Sequence, residues 1–156
     1  MEKIAEFNWD ITSADTKKHL NADFLVNKPY PKLIFECSYD PKYLEDAQKG
    51  LAMMKEAVVN ADYLLQDFSD EELLKNMPLA NHVSWSIDSP LGLLGTKHKH
   101  DPYQLLEISN GHSTPGFVNS PIYEGRWSIT ASLNAVITDE LHIHIVVSGD
   151  NDDELV

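Results

Sequence analysis

From Trp127 to Val147 the chain alternates apolar and polar residues, and this period of two limits the possible folds more than any other feature. Trp127, Ile129, Ala131, Leu133, Ala135 and Ile137 alternate with Ser128, Thr130, Ser132 and Asn134, and Leu141, Ile143, Ile145 and Val147 then alternate with His142, His144 and Val146. Successive side chains on a strand point to opposite faces, so each run reads as a strand with one buried face and one wet face. Residues directly opposite in an antiparallel pair share a face. A hairpin with a three-residue loop, Thr138 to Glu140, keeps the two apolar faces matched, as a five-residue loop also would. In that register His142 lies opposite Val136 and His144 opposite Asn134.

Further strands follow from the same alternation. Ala5, Phe7, Trp9 and Ile11 alternate with Glu6, Asn8 and Asp10, and KLIFECS, HVSWSI and YQLLEIS are strand candidates. The segment TSADTKKHLN reads as a short helix ended by Asn21, and DFLV as a brief strand. A long helix is expected from Pro41 to about residue 67, because Asp40 can cap it and proline suits the first helical position. Leu44, Ala47, Leu51, Met54, Val58, Ala61, Leu65 and Phe68 recur at spacings of three and four, one stripe that suits a helix laid across a sheet or a coiled-coil seam. Ala57 and Leu64 widen the stripe and Gly50 interrupts it, which favours the sheet. Ser69 and Glu72 form a capping-box pattern for a second helix that must stop near Asn76, before Pro78. Residues 89–102 and 109–121 read as turn-rich loops.

Together these elements predict one α+β domain spanning 1–156. A mainly antiparallel sheet of about five or six strands would have the helix 41–67 on one face. Its other face would be polar, carrying Ser128, Thr130, Ser132, Asn134, His142 and His144. An acidic tail from about residue 150 is expected to be mobile.

Charge then narrows the function. The chain has 25 acidic residues against 12 Lys plus Arg, a net charge of −13. Its sole arginine is Arg126. Proteins that grip nucleic acid do so by neutralising phosphates with basic patches, so nucleic acid is not an expected partner. No apolar run is long enough to cross a bilayer, and the first residues lack an apolar signal core, which predicts a cytoplasmic protein that does not enter a membrane. The single cysteine, Cys37, alternates in step with Leu33 and Phe35 and is expected to be a buried, reduced thiol.

No catalytic motif is complete. No serine sits in a Gly-x-Ser-x-Gly elbow, and Gly95-Thr96-Lys97 has the wrong order for a phosphate-binding loop. His142 and His144 share one side of a strand and offer two nitrogen ligands, but zinc or iron needs a third, for which His98, His100 and His112 are candidates. The pair resembles the His-x-His segment of cupins, although Val147, Ser148 and Gly149 stand where the cupin glutamate would be and the upstream glycine is absent.

The expected function is therefore non-catalytic: an acidic protein that binds a basic protein partner and needs no cofactor. Immunity proteins that neutralise nuclease toxins share this profile, because masking a phosphate-binding cleft calls for a negative surface. Asp62, Asp67, Asp70, Glu71 and Glu72, around the Ser69 corner, are the expected contact residues. The alternatives are a small metal-binding β-rich enzyme built on His142 and His144, and a regulatory subunit that self-associates through the helix stripe.

Overall fold

The structure is a computed structural model that describes residues 1–62, 64 and 67–151. Its strands are β1 (Glu2–Thr12), β2 (His19–Val26), β3 (Lys32–Asp40), β4 (Tyr43–Leu44), β5 (Leu79–Ala80), β6 (His82–Ser89), β7 (Gly92–Lys97), β8 (Tyr103–Ser109), β9 (Gly125–Ala135) and β10 (Glu140–Asp150). The helices are α1 (Ala47–Asn60) and α2 (Asp70–Leu74). The expected class holds, since the chain is mostly antiparallel sheet with one long helix. Strands are more numerous than expected, ten among the described residues, and they form three sheets.

Sheet A has the order β1-β10-β3-β8 and sheet B the order β2-β9-β6-β7, with β4 and β5 as a separate small ribbon. The two large sheets pack face to face. Phe35, Cys37, Leu141, Ile143 and Ile145 from sheet A join Phe24, Trp85, Ile87, Trp127 and Ile129 from sheet B in one buried cluster. Phe24 meets Phe35 edge-on at 5.9 Å across the interface, and Tyr39 meets Trp85 at 6.5 Å. Each sheet hides its apolar face against the other, the arrangement that alternating strands with one wet face favour. Cys37 is fully buried as expected, and burial pushes its thiol pKa up.

This packing corrects the expected role of the helix, because sheet B, and not a helix 41–67, covers the inner face of sheet A. Helix α1 starts at Ala47 because Asp46 caps it, its carboxylate accepting from the backbone N–H groups of Gln48 and Lys49, both at 3.1 Å. Asp40, the expected cap, ends β3 opposite His142, and Tyr43 and Leu44 pair with β5. Gly50 is the one fully buried residue of α1, and it faces Met77 and Leu79. The stripe residues Leu51, Met54 and Val58 are half-buried. Asp62, at φ 63°, ends the helical run in the left-handed region, which Asp tolerates better than most side chains. Leu65 of the expected stripe lies outside the described residues. Ser69 caps α2 as expected, its hydroxyl accepting from the Glu72 N–H at 3.1 Å.

The expected β9–β10 hairpin is also corrected, because β9 pairs with β2 and β6 in sheet B while β10 pairs with β1 and β3 in sheet A. The link between them crosses from one sheet to the other. Val136 N–H donates to the Thr16 hydroxyl at 2.6 Å, and Ile137 N–H to the Asn81 side-chain carbonyl at 2.7 Å. Alternation puts one apolar face on each strand, and that face is buried equally well across a sandwich as beside a neighbour. The polar residues expected on one wet face consequently divide between opposite sides of the molecule.

Two local readings change as well. Residues 13–15 form a single 3-10 turn, and Asn21 belongs to β2, where it pairs with Thr130. Much of the loop expected over 89–102 is strand β7. It turns back after Ser89 through Gly92 at φ +129°, and the missing side chain of Gly95 admits the Gly116 carbonyl at close range. Residues 109–121 remain a loop, but an anchored one: Thr114 N–H donates to the Glu107 carbonyl at 2.9 Å and Glu107 N–H to the Thr114 hydroxyl at 2.8 Å, covering part of the free edge of β8. At the C-terminal end Asp150 belongs to β10 and lies 3.6 Å from the Lys32 ammonium, and the acidic tail expected from about residue 150 falls beyond it. Residues 152–156 lie outside the described residues. No helix among the described residues is long and apolar enough to cross a membrane.

Candidate functional site

The outward side of sheet A is assembled from four strands whose polar residues face away from the core. Across its central strand the rows read Asp10, His142, Asp40; then Asn8, His144, Ser38; then Glu6, Val146, Glu36. The last two rows continue onto β8 at Tyr103 and Leu105. His142 and His144 thus lie on a wet face, as the alternation implied, but their neighbours are Asp10, Asp40, Asn8 and Ser38 and not Val136 or Asn134.

Both imidazoles are engaged by β1. His142 Nδ1 lies 2.7 Å from the Asp10 carboxylate and Nε2 3.1 Å from the Asn8 side-chain oxygen. His144 Nε2 lies 2.6 Å from the Glu6 carboxylate. Glu6 is held below the usual carboxylate pKa, first by Lys3 and then by the His144 hydrogen bond. Glu6, Asn8 and Asp10 were legible as wet-face residues from their alternation, whereas their pairing with β10 was not, since sequence spacing carries no partner information for strands 132 to 138 residues apart.

The histidines considered as third metal ligands do not join this pair. His100 stacks on His82 at 4.2 Å with a 9° interplanar angle, and His112 is held by the Ser109 hydroxyl at 2.9 Å from its backbone N–H. The pKa of His82 is lowered by desolvation, then by His100 and Lys42. Among the described residues, no group of three or more His, Cys, Asp or Glu side chains is placed to hold a metal ion.

If the two histidines contribute only wet-face hydrogen bonds, His142→Ala and His144→Ala should each change unfolding free energy by no more than about 0.5 kcal/mol, the usual effect of surface substitutions. Urea titration of each variant measures this. A loss several times larger would mean that the histidines anchor the fold.

The corner acids are all at the surface. Asp62, Asp67, Asp70, Glu71 and Glu72 are exposed, and Asp70 lies 2.9 Å from the Lys55 ammonium on α1. Asp70, Glu71 and Glu72 also occupy the first turn of α2, where a carboxylate is favoured by the unpaired N–H groups.

At one end of sheet A the surface dips into a shallow recess of about 540 Å³, lined by Asp10, Thr12, Asp40, Pro41, Glu140 and His142 among others. The opposite outer face, on sheet B, has a different chemistry. Ser86, Ser128, Thr130, Ser132 and Thr96 lie on it beside the exposed Leu25 and Leu93, Asp23 and Asp88 are its acids, and Arg126 lies 3.8 Å from Asp23. No protein-family model matches the chain, and no curated protein matches it.

Proposed function

We propose that the chain is a non-catalytic acidic protein that binds a basic protein surface, and that it acts as an inhibitor of that partner in the manner of immunity proteins against nuclease toxins. Cytoplasmic residence belongs to the same proposal. The observation that supports it is acid exposure with little compensation: of Asp62, Asp67, Asp70, Glu71 and Glu72, only Asp70 is ion-paired among the described residues. Capping and helix-dipole effects account for the acids of α2, and the left-handed turn accounts for Asp62. None of these explains Asp67. A negative surface of this kind draws in a cationic partner along its field and raises the association rate more than it slows dissociation.

The test is association kinetics with a basic partner captured from native lysate. Asp62→Asn, which retains a residue suited to the left-handed turn, is combined with Asp67→Lys. At low salt the association rate should fall by about threefold or more while dissociation changes little. The difference should shrink at about 150 mM salt, where the screening length is about 8 Å. An unchanged association rate would leave the corner as an ordinary solvated helix surface.

A further inference from the structure

We infer that two copies of the chain associate about a two-fold axis by pairing their β1 strands edge to edge, so that sheet A of one copy continues into sheet A of the other. The interface uses none of the corner acids between residues 62 and 72, and it stands apart from the basic-partner reading above.

The two sides of the sandwich differ in how their strand edges are finished. On the β7 and β8 side the 109–121 loop reaches both edges: Val118 N–H donates to the Leu94 carbonyl and Ser120 N–H to the Ser109 carbonyl, each at 2.9 Å. On the other side β1 ends sheet A, and among the described residues its backbone from Lys3 to Ile11 makes hydrogen bonds to β10 alone. A strand of 11 residues therefore presents alternate N–H and C=O groups outward, the condition under which another strand adds to a sheet.

The core is open on that side as well. Ile4, Ala5, Phe7, Trp9 and Leu20 pack against the central cluster yet stay half-buried, and all but Leu20 belong to β1. Phe7 and Trp9 stack with ring centroids 5.9 Å apart and an interplanar angle of 10°. A neighbouring strand with its apolar residues on the same face would cover them.

In one register β1 is complementary to itself, which makes a second copy the occupant. Its bulge at Ile4 puts Lys3 on the outer face with Glu6, Asn8 and Asp10, because Lys3 pairs with Ser148 and Glu6 with Val146, two residues apart on β10. In the antiparallel pair centred on Phe7, Phe7 meets Phe7 of the second copy, Trp9 meets Ala5, Asn8 meets Glu6, and the bulge carries Lys3 into line with Asp10. A large ring is thus set beside a small side chain, and opposite charges face each other at both ends. Asp10 has room for this contact, its side chain being 90% exposed beside His142, and Lys3 is 61% exposed beside Glu6. Centring on Glu6 would set Glu6 against Glu6, and centring on Asn8 would set Glu6 against Asp10. Centring on Trp9 carries Lys3 past the end of the opposite β1.

The experiment is sedimentation equilibrium of the full chain at about 150 mM salt and from about 5 to about 500 µM protein, with amide hydrogen exchange at the two extremes. The expected results are a monomer–dimer equilibrium and, at high concentration only, slowed exchange at alternate residues between Lys3 and Ile11. Lys3→Glu and Asp10→Lys, both at exposed outer positions, should each weaken the dimer by about tenfold, because like charges then lie opposite at both ends. Mixed in equal amounts, the two variants should form a heterodimer within about threefold of the native affinity, since each introduced charge then faces its opposite. A monomer throughout the range overturns the inference, as does a dimer that neither variant weakens or in which the β1 amides stay unprotected. Failure of the mixture to recover affinity overturns the register centred on Phe7 and, with it, the pairing proposed.

Discussion

Ile145→Asp should abolish folding. Ile145 is fully buried near the middle of β10, between Phe7 on β1 and Cys37 on β3, and its side chain belongs to the cluster where the two sheets meet. An aspartate there has no cation within an apolar interior. The cost of burying it, about 5 kcal/mol or more, is comparable to the whole stability of an ordinary domain. Val58→Asp is the informative contrast. Val58 looks like a core residue by periodicity, yet it is half-buried on a helix that packs against α2 and the 76–80 segment. Its replacement should disturb the helical excursion and leave the sandwich folded. Near-ultraviolet circular dichroism and amide dispersion of the two variants separate these outcomes. A folded Ile145→Asp, or a Val58→Asp that loses both sheets, would contradict the two-sheet account of the core.

Asn81→Ala should cost about 2–4 kcal/mol, the sum of lost hydrogen bonds and unsatisfied buried groups. Asn81 is completely buried. Its side-chain NH2 donates to the Pro41 carbonyl and the Thr138 hydroxyl, both at 2.9 Å, and its side-chain oxygen accepts from Ile137 N–H at 2.7 Å. Three separate chain segments therefore meet on one amide: the start of the helical excursion, the entry to β6 and the β9–β10 crossing. The backbone carbonyl of Asn81 also accepts from Lys42 at 2.9 Å, and burial lowers the pKa of that lysine. Asn81→Asp should be no better tolerated than alanine, because a carboxylate cannot donate to Pro41 or Thr138. Urea unfolding of both variants measures the effect, and a loss below about 0.5 kcal/mol in Asn81→Ala would mean that water replaces the amide at that junction.

Asn81 also illustrates what sequence reading misses. It lies between a proline-containing turn and a strand, where an asparagine ordinarily satisfies a local turn, and nothing in its neighbourhood indicates partners 40, 56 and 57 residues away. The helix start is a related case. Asp40-Pro41 and Asp46 are both plausible caps by residue type, and the choice fell to Asp46 because β3 runs on through Asp40 and Tyr43 and Leu44 find strand partners in β5. Strand β7 was hidden by its two glycines. They weaken a strand taken alone, but here they allow the turn at Gly92 and the close approach of Gly116.

What the sequence determined by itself is the direction of side chains along each strand. Period-two alternation is a local consequence of backbone geometry, so the inward course of Trp127, Ile129, Ile143 and Ile145, the burial of Cys37, and the outward course of Glu6, Asp10, His142 and His144 were all readable without knowing any neighbour. The Ser69 cap of α2 was legible for the same reason, since it is completed within four residues. Tertiary structure alone decided which strands lie side by side. Alternation makes an apolar face without specifying whether a hairpin partner, a helix or a second sheet will cover it, and all three bury similar area. The sandwich put β9 and β10 in different sheets, separating Ser128, Thr130 and Ser132 from His142 and His144 and setting those histidines between the acids of β1 and β3.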